Sequence, residues 1–227
     1  MPLFSTLDLF ALAWFLGAWA IYSLTLSITE RRKEGLNSEM NRYRDIWMFQ
    51  MLGREVRMVD AQIVAALQNG TAFFASTSLI AIGGALTLLR STDEILQVVA
   101  ALPFGITTTS VQWEAKTMGL ATIFVYAFFK FGWAYRLYNY VAILVGATPP
   151  AKEKDTPEAK AHAERLGRLC EVAGRHFNRG QRAFFFALGY LGWFISPWLL
   201  MVTSVTIAVI LWRRQFASDS RRALFNE

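Results

Sequence analysis

Four long apolar stretches divide the chain, and polar or charged segments separate them. The stretches are residues 7–28, 71–89, 118–137 and 184–212. The shortest has 19 residues, and a helix of about 20 residues, rising 1.5 Å per residue, crosses the roughly 30 Å hydrocarbon core of a bilayer. The pattern predicts an all-α, polytopic membrane protein with four transmembrane helices in one integral membrane domain, residues 1–227.

Two polar segments predict amphipathic helical extensions on the cytoplasmic side. In residues 37–68 charged and apolar positions interleave, and residues 157–178 follow Thr156 as N-cap and Pro157 as first helical residue. Within the first segment, Arg57 and Asp60 are three positions apart and can meet on one helix face. Two interpretations remain open: a solvated charge pair, or a latch against another cytoplasmic helix.

Particular residues inside the second and fourth spans predict how those helices pack and bend. Small side chains let membrane helices approach each other closely. The second span carries a ladder of such residues, which we expect to face another helix: Thr77, Ala81, Gly84 and Ala85. Pro197 lies inside the fourth span and removes one backbone hydrogen bond, so it predicts a kink.

The third span carries charges that are expensive in a bilayer and usually face protein or water. At about 100° per residue, Trp133, Arg136 and Tyr140 fall on one helical stripe, with Lys130 near its edge and Asn139 nearby. One interpretation is that the cations snorkel to the headgroups while the aromatic rings anchor the interface. The other is that these five residues line a pore or a ligand site.

The charge distribution predicts the orientation in the membrane. The chain has 227 residues, 54% of them hydrophobic, and 18 are Phe and 8 are Trp, which indicates a large lipid-facing surface. Fifteen lysines and arginines lie in the segments after the first and third spans, and six lie in the segments on the other side. By the positive-inside rule the richer side is cytoplasmic. With four spans, both termini are expected outside the cytoplasm of a bacterial inner (plasma) membrane. The basic residues flank spans, so no nucleic-acid partner is expected.

The sequence contains no recognisable cluster of side chains suited to catalysis or metal binding. Cys170 is the single cysteine, so no intramolecular disulfide framework is available. His162 and His176 flank it without a carboxylate or second thiol at ligand spacing. We therefore expect no metal, no cofactor and no enzymatic activity.

Several sequence stretches together resemble a known family. They are FFAST at 73–77, FFKFGWAYRLYNY at 128–140, RGQRAFFFALGYLGWFISPW at 179–198 and WRRQF at 212–216. The chain resembles, over roughly residues 5–220, an uncharacterised membrane family called domain of unknown function 599. The resemblance implies a four-helix integral membrane protein. It implies no catalytic or ligand residues, because the family has no established activity.

Two functions therefore remain open. The first is an oligomeric channel or transporter for small ions, favouring anions because its candidate pathway residues are basic. Four helices leave little room for an internal pathway, so this function implies a homo-oligomer with the pore on its symmetry axis. The second is a membrane scaffold or regulatory protein whose basic cytoplasmic helices bind a protein partner or anionic lipid.

Overall fold

A computed structural model describes residues 3–31, 35–100, 108–217 and 223–224, and this part of the chain is helical with short connections and no strand. Its α-helices are α1 (Thr6–Arg31), α2 (Leu36–Leu52), α3 (Met58–Arg90), α4 (Thr92–Ala100), α5 (Ser110–Gly146), α6 (Pro157–Tyr190) and α7 (Pro197–Phe216). Two short 3-10 helices, Ala151–Glu153 and Leu191–Phe194, precede α6 and α7. The predicted all-α class is confirmed.

Four of these helices are long and apolar enough to cross a membrane: α1, α3, α5 and α7. The prediction of a multi-pass membrane protein with four such helices is therefore confirmed. Both α3, with 33 residues, and α5, with 37, are longer than a bilayer requires. At 1.5 Å per residue each is about 50 Å or more in length, so each extends well beyond a hydrocarbon core of about 30 Å.

The predicted amphipathic helix at 37–68 is in fact two helices. The first, α2, ends at Leu52, where the N–H of Gly53 donates to the carbonyl of Gln50 and the N–H of Arg54 donates to that of Met51. The second, α3, begins at Met58 and continues without a break into the span. Charged residues continue across the break as far as Asp60. Hydrophobic periodicity alone therefore could not reveal the break between α2 and α3.

The predicted fourth span, 184–212, is wrong as a single kinked helix. The chain leaves α6 at Tyr190, and Ser196, in an extended conformation, caps a new helix by accepting a hydrogen bond from the Leu199 N–H at 3.1 Å. Pro197 is the first residue of that helix, a position where its missing N–H costs nothing. Beyond this turn α7 runs back along α6, since Gly189 packs against Thr203. Pro197 therefore marks a reversal of the chain.

The reversal places the second half of α6 inside the bundle as a further pass. Along α1, the ring of Phe4 lies 5.2 Å from that of Trp193, and the ring of Phe15 lies 5.8 Å from that of Phe186, so α1 and α6 are antiparallel. We call the end of the bundle where α1 begins the near end, and the end where α1 finishes the far end. The turn at 191–196 lies at the near end.

The last helix, α7, finishes at the far end, where Gly35 packs against the side chains of Gln215 and Phe216. The beginning of α1 and the end of α7 therefore lie at opposite ends of the bundle. This differs from the expectation that the two termini share one side. That expectation counted residues 184–212 as one crossing, whereas the chain passes along the bundle twice in this region.

Two hydrophobic cores lie one after the other along the bundle. The bundle core joins α1, α5, α6 and α7 around fully buried side chains, namely Phe15, Phe131, Phe186 and Leu200, and Phe74 and Ala81 of α3 pack against it. The far-end core joins α2, the start of α3, the end of α5 and the first half of α6 around Met48, Met51, Val64, Val141 and Leu166. Three helices, α3, α5 and α6, thus contribute to packing along most of the molecule.

Candidate functional site

The aromatic and basic stripe of α5 lies on the outer surface of the chain. Trp133 and Tyr140 are 48% and 39% exposed, and Arg136 is exposed between them. The Nε of Arg136 donates to the Tyr140 hydroxyl at 2.7 Å, and its guanidinium lies 5.8 Å and 5.6 Å from the centres of the Trp133 and Tyr140 rings. This geometry fits a cation held by interfacial aromatics. It does not place Arg136 on an internal pathway of one chain.

The remaining two candidates of this stretch lie elsewhere. Asn139 is half-buried, and its Oδ1 accepts a hydrogen bond from Gln68 Nε2 at 2.6 Å, which ties α5 to α3. Lys130 is half-buried, and its Nζ lies 5.2 Å from the centre of the Tyr126 ring. The five residues predicted as one site therefore belong to three different surroundings.

Arg57 and Asp60 do not pair with each other. Asp60 is completely buried, forms an ion pair with Arg54 and accepts a hydrogen bond from Trp47 Nε1 at 2.7 Å. Arg57 instead donates to the carbonyl of Thr148 at 3.0 Å and to that of Pro149. A solvated charge pair is wrong. The latch interpretation is closer, but Arg57 fastens α3 to the loop before α6 and contacts only its backbone.

The small-residue ladder of α3 is packed only in part. Ala85 is buried and Ala81 packs against the bundle core. Thr77 turns its hydroxyl back to the Phe73 carbonyl at 2.8 Å, and Gly84 is exposed, with no atom near the position of a Cβ. The packed face also includes larger residues, namely Thr71, Phe74 and Ser78. Within the described part of this chain Gly84 packs against no helix, because it lies about 100° around α3 from the buried Ala85.

Sequence reasoning missed a polar cluster at the near end. Lys116 is buried, and its Nζ donates to the Trp193 carbonyl at 2.9 Å. In a helix this carbonyl would accept from the N–H of residue 197, but Pro197 has none. Asp8 accepts a hydrogen bond from Trp193 Nε1 at 2.8 Å. The signal in the sequence was the proline four residues after Trp193, although it does not say which side chain replaces the missing donor.

At the far end of the bundle, basic side chains from three helices lie at one level. Arg214 donates to Gln181 at 3.1 Å, and Gly180 packs against the ring of Phe131, so these parts of α5, α6 and α7 are side by side. The cations at this level, which we call the basic belt, are Lys130, Arg179, Arg182, Arg213 and Arg214. Among the described residues, Lys130, Arg179, Arg213 and Arg214 form no ion pair with a carboxylate.

His176 lies beside the basic belt, and the positive charge of the belt affects the pKa of this histidine. The pKa of His176 is lowered, mainly because burial disfavours the charged imidazole and further because Lys130, Arg179 and Arg175 lie nearby. Arg175 is neutralised by its ion pair with Glu171. The positive field at this level therefore comes in large part from Lys130, Arg179, Arg213 and Arg214, which form no ion pair with a carboxylate of the described residues.

A polar cavity of about 220 Å³ opens beside the belt between α1 and α5. Six residues line it: Trp19, Ser23, Ser27, Tyr126, Arg179 and Arg182. This site could not be predicted from the sequence, because its serine hydroxyls and its guanidinium groups are more than 150 positions apart. Within α6 alone, Arg179 and Arg182 are three positions apart just before an apolar run, which is compatible with a shared helix face.

The comparisons with known proteins add a family but no activity. The family described as "Protein of unknown function, DUF599" has a model that matches residues 10–220 of the chain. No curated protein and no solved structure matches it. The match covers most of the chain, and it includes every residue of the basic belt and of the polar cavity.

Proposed function

We propose that this chain, which belongs to the DUF599 family of unknown function, is a non-catalytic membrane scaffold or regulatory protein that holds anionic lipid. The observation that carries the proposal is the basic belt, with five cations at one level of the bundle. Each lysine or arginine near an anionic membrane surface contributes about 1 kcal/mol of attraction. The far-end core then forms a helical platform directly beneath the bound headgroups, available to a partner.

The fold supports an orientation with the far end in the cytoplasm of a bacterial plasma membrane. The far end holds the segments around α2 and the start of α6, which are rich in lysine and arginine, and also Arg213 and Arg214 at the end of α7. At the near end, Arg90 and Lys116 are the basic residues of the described part. Once α7 finishes at the far end, its arginines no longer conflict with the positive-inside rule.

Two engineered thiols are expected to report this orientation. Cys170 is completely buried, and burial raises the pKa of its thiol, so it should stay unreactive in the folded protein. In a Cys170→Ser background, Glu114→Cys places an exposed thiol at the near end and Ala217→Cys places one at the far end. An impermeant maleimide should label residue 114 in intact spheroplasts, and residue 217 only after lysis.

Each other outcome of this labelling has a definite meaning. Labelling of both positions in intact spheroplasts would show that the termini share the outer side, which contradicts the fifth pass made by α6. Labelling of residue 217 alone would place the basic belt outside and overturn the proposed orientation. The unmodified chain, with only Cys170, is the control for background reaction.

Lipids that copurify with the protein are expected to be enriched in anionic species. Extraction into polymer-bounded discs should give a ratio of phosphatidylglycerol to phosphatidylethanolamine severalfold above that of the bulk membrane, measured by lipid mass spectrometry. Replacing Arg213 and Arg214 by glutamine removes two belt charges and should lower this ratio. The matched control, Arg165→Gln with Arg168→Gln, removes two exposed charges of α6 well outside the belt and should leave it unchanged. A ratio equal to the bulk value would refute the proposal.

An oligomeric channel is the second candidate, and one observation favours it. Gly83 and Gly84 are exposed on α3, with open space at the position of each Cβ, so a second copy has room to approach closely there. Anion flux in liposomes together with a stable homo-oligomer would support this candidate. A monomer without anion flux would contradict the channel and favour the lipid-binding scaffold.

A further inference from the structure

The polar cavity adjoins an apolar groove along the same side of α1. The groove has a volume of about 390 Å³ and lies between α1 and α5, with Tyr190 and Trp193 contributed by α6 and the turn that follows it. Trp19 and Tyr126 line both the groove and the cavity, and their rings meet edge to face at 6.1 Å. The two spaces are therefore neighbours, one apolar and one polar.

The polar end carries groups that suit a phosphate. Arg179 and Arg182 project from α6 into the cavity, and guanidinium groups bind phosphate oxygens through paired N–H donors. Ser23 brings a hydroxyl from α1 on the opposite side, whereas Ser27 donates its hydroxyl proton to the Ser23 carbonyl at 3.0 Å. Lys130, which lies against Tyr126, adds a third positive charge at the edge.

From the cavity, the groove extends at least the depth of one lipid leaflet and continues to Phe4 and Trp193 at the near end. Leu12 lines the groove and Ser23 lines the cavity, and eleven helical positions separate them. At 1.5 Å per residue this is about 16 Å, close to half of a hydrocarbon core of about 30 Å. A lipid with its phosphate at Arg179 would therefore place an acyl chain along the groove within the same leaflet.

A second groove on the other side of α1 lacks these features. It lies between α1 and α7, has a volume of about 650 Å³, and is lined mainly by apolar side chains such as Phe10, Trp14 and Val205. It can accommodate hydrocarbon, but none of its lining residues is charged. It therefore provides no group that would select an anionic headgroup, and it serves as an internal control.

We infer that the groove between α1 and α5 is a specific site for one anionic phospholipid, whose phosphate binds Arg179, Arg182 and Ser23 while one acyl chain follows the groove. The inference rests on the proposed function. There the whole basic belt attracts anionic lipid, whereas here a single lipid molecule binds at one defined site. Anionic phospholipid satisfies the charge of the cavity, the apolar lining of the groove and its depth in the leaflet together.

Native mass spectrometry of the full-length protein, equilibrated with an equimolar mixture of phosphatidylglycerol and phosphatidylcholine, tests the site. The parent should retain one phosphatidylglycerol in preference to phosphatidylcholine. Arg179→Gln with Arg182→Gln should weaken that retention about tenfold or more, since each cation contributes about 1 kcal/mol. The matched pair Arg165→Gln with Arg168→Gln should retain it as the parent does. The single change Arg179→Gln replaces the double variant if the latter fails to fold.

A groove-filling substitution tests the acyl chain separately. Thr122→Trp places an indole in the groove without changing charge, and should reduce retention severalfold. Val205→Trp, a change of similar size in the apolar groove between α1 and α7, should not. Melting temperatures in neutral lipid confirm that each variant is folded.

The outcomes separate this inference from the proposed function. If the two arginine pairs weaken retention equally, or if Thr122→Trp has no effect, the specific groove site is wrong. Anionic lipid enrichment in the discs would then still support the basic belt. If the parent shows no preference for phosphatidylglycerol in either experiment, both proposals fail.

Discussion

Replacing Asp60 by alanine is expected to lower the free energy of unfolding by about 3 kcal/mol, near the lower end of the range for breaking a buried ion pair. The lower end applies because Arg54 is 38% exposed and regains water when its partner is lost. The change also leaves the indole N–H of the half-buried Trp47 without its acceptor. Thermal unfolding in a mild detergent, followed by tryptophan fluorescence, should show a clearly lower melting temperature.

A matched substitution separates this effect from the loss of a carboxylate in general. Asp155 is exposed in the loop before α6, so Asp155→Ala should change the melting temperature little. Asp60→Asn retains an oxygen for Trp47 while removing the charge, and should give an intermediate result. Equal melting temperatures for Asp60→Ala and Asp155→Ala would mean that the Asp60 cluster does not hold α2 and α3 together.

Replacing Lys116 by methionine is expected to lower the free energy of unfolding by about 2 kcal/mol, the cost of leaving a buried carbonyl without its donor. Methionine keeps the length of the side chain, so the change removes the hydrogen bond to the Trp193 carbonyl without opening a large cavity. The same thermal measurement applies. Lys154→Met is the control, since Lys154 is exposed near the far end.

The position of Lys116 gives this prediction a second readout. The Trp193 carbonyl lies in the turn that reverses the chain. Lys116→Met should therefore make local unfolding easier at the near end than at the far end. Hydrogen exchange should therefore increase around residues 190–197 while the segment around Cys170 stays protected. Uniform loss of protection along the chain would contradict a local role for Lys116.

Hydropathy was sufficient to locate the four apolar helices, because a long lipid-facing helix needs an apolar side chain at almost every position. It could not locate the turn at 191–196, because the residues there are as apolar as their neighbours: Trp193 is buried in the bundle core. A buried turn and a buried helix look alike in composition. The number of passes, and with it the side on which α7 ends, therefore depended on three-dimensional contacts.

The polar sites show a different limit of sequence reasoning. Spacing along one helix suggested that Arg57 meets Asp60, but both side chains found partners outside that spacing, in Arg54, Trp47 and the loop at Thr148. For the basic belt, the sequence identified Lys130 but not Arg179 or Arg182, because their common level depends on how α5, α6 and α7 align. Local periodicity predicts which face a residue occupies, not which distant residue lies opposite.

The length of α5 has a mechanical consequence. This helix has 37 residues and no internal proline, and it runs from the near end through the bundle core into the far-end core. A rod of about 55 Å that tilts by about 5° around its midpoint moves each tip by about 2 Å. Any change in bilayer thickness or lateral pressure that tilts α5 is thus delivered to the helices outside the bilayer as a displacement, with no hinge to absorb it.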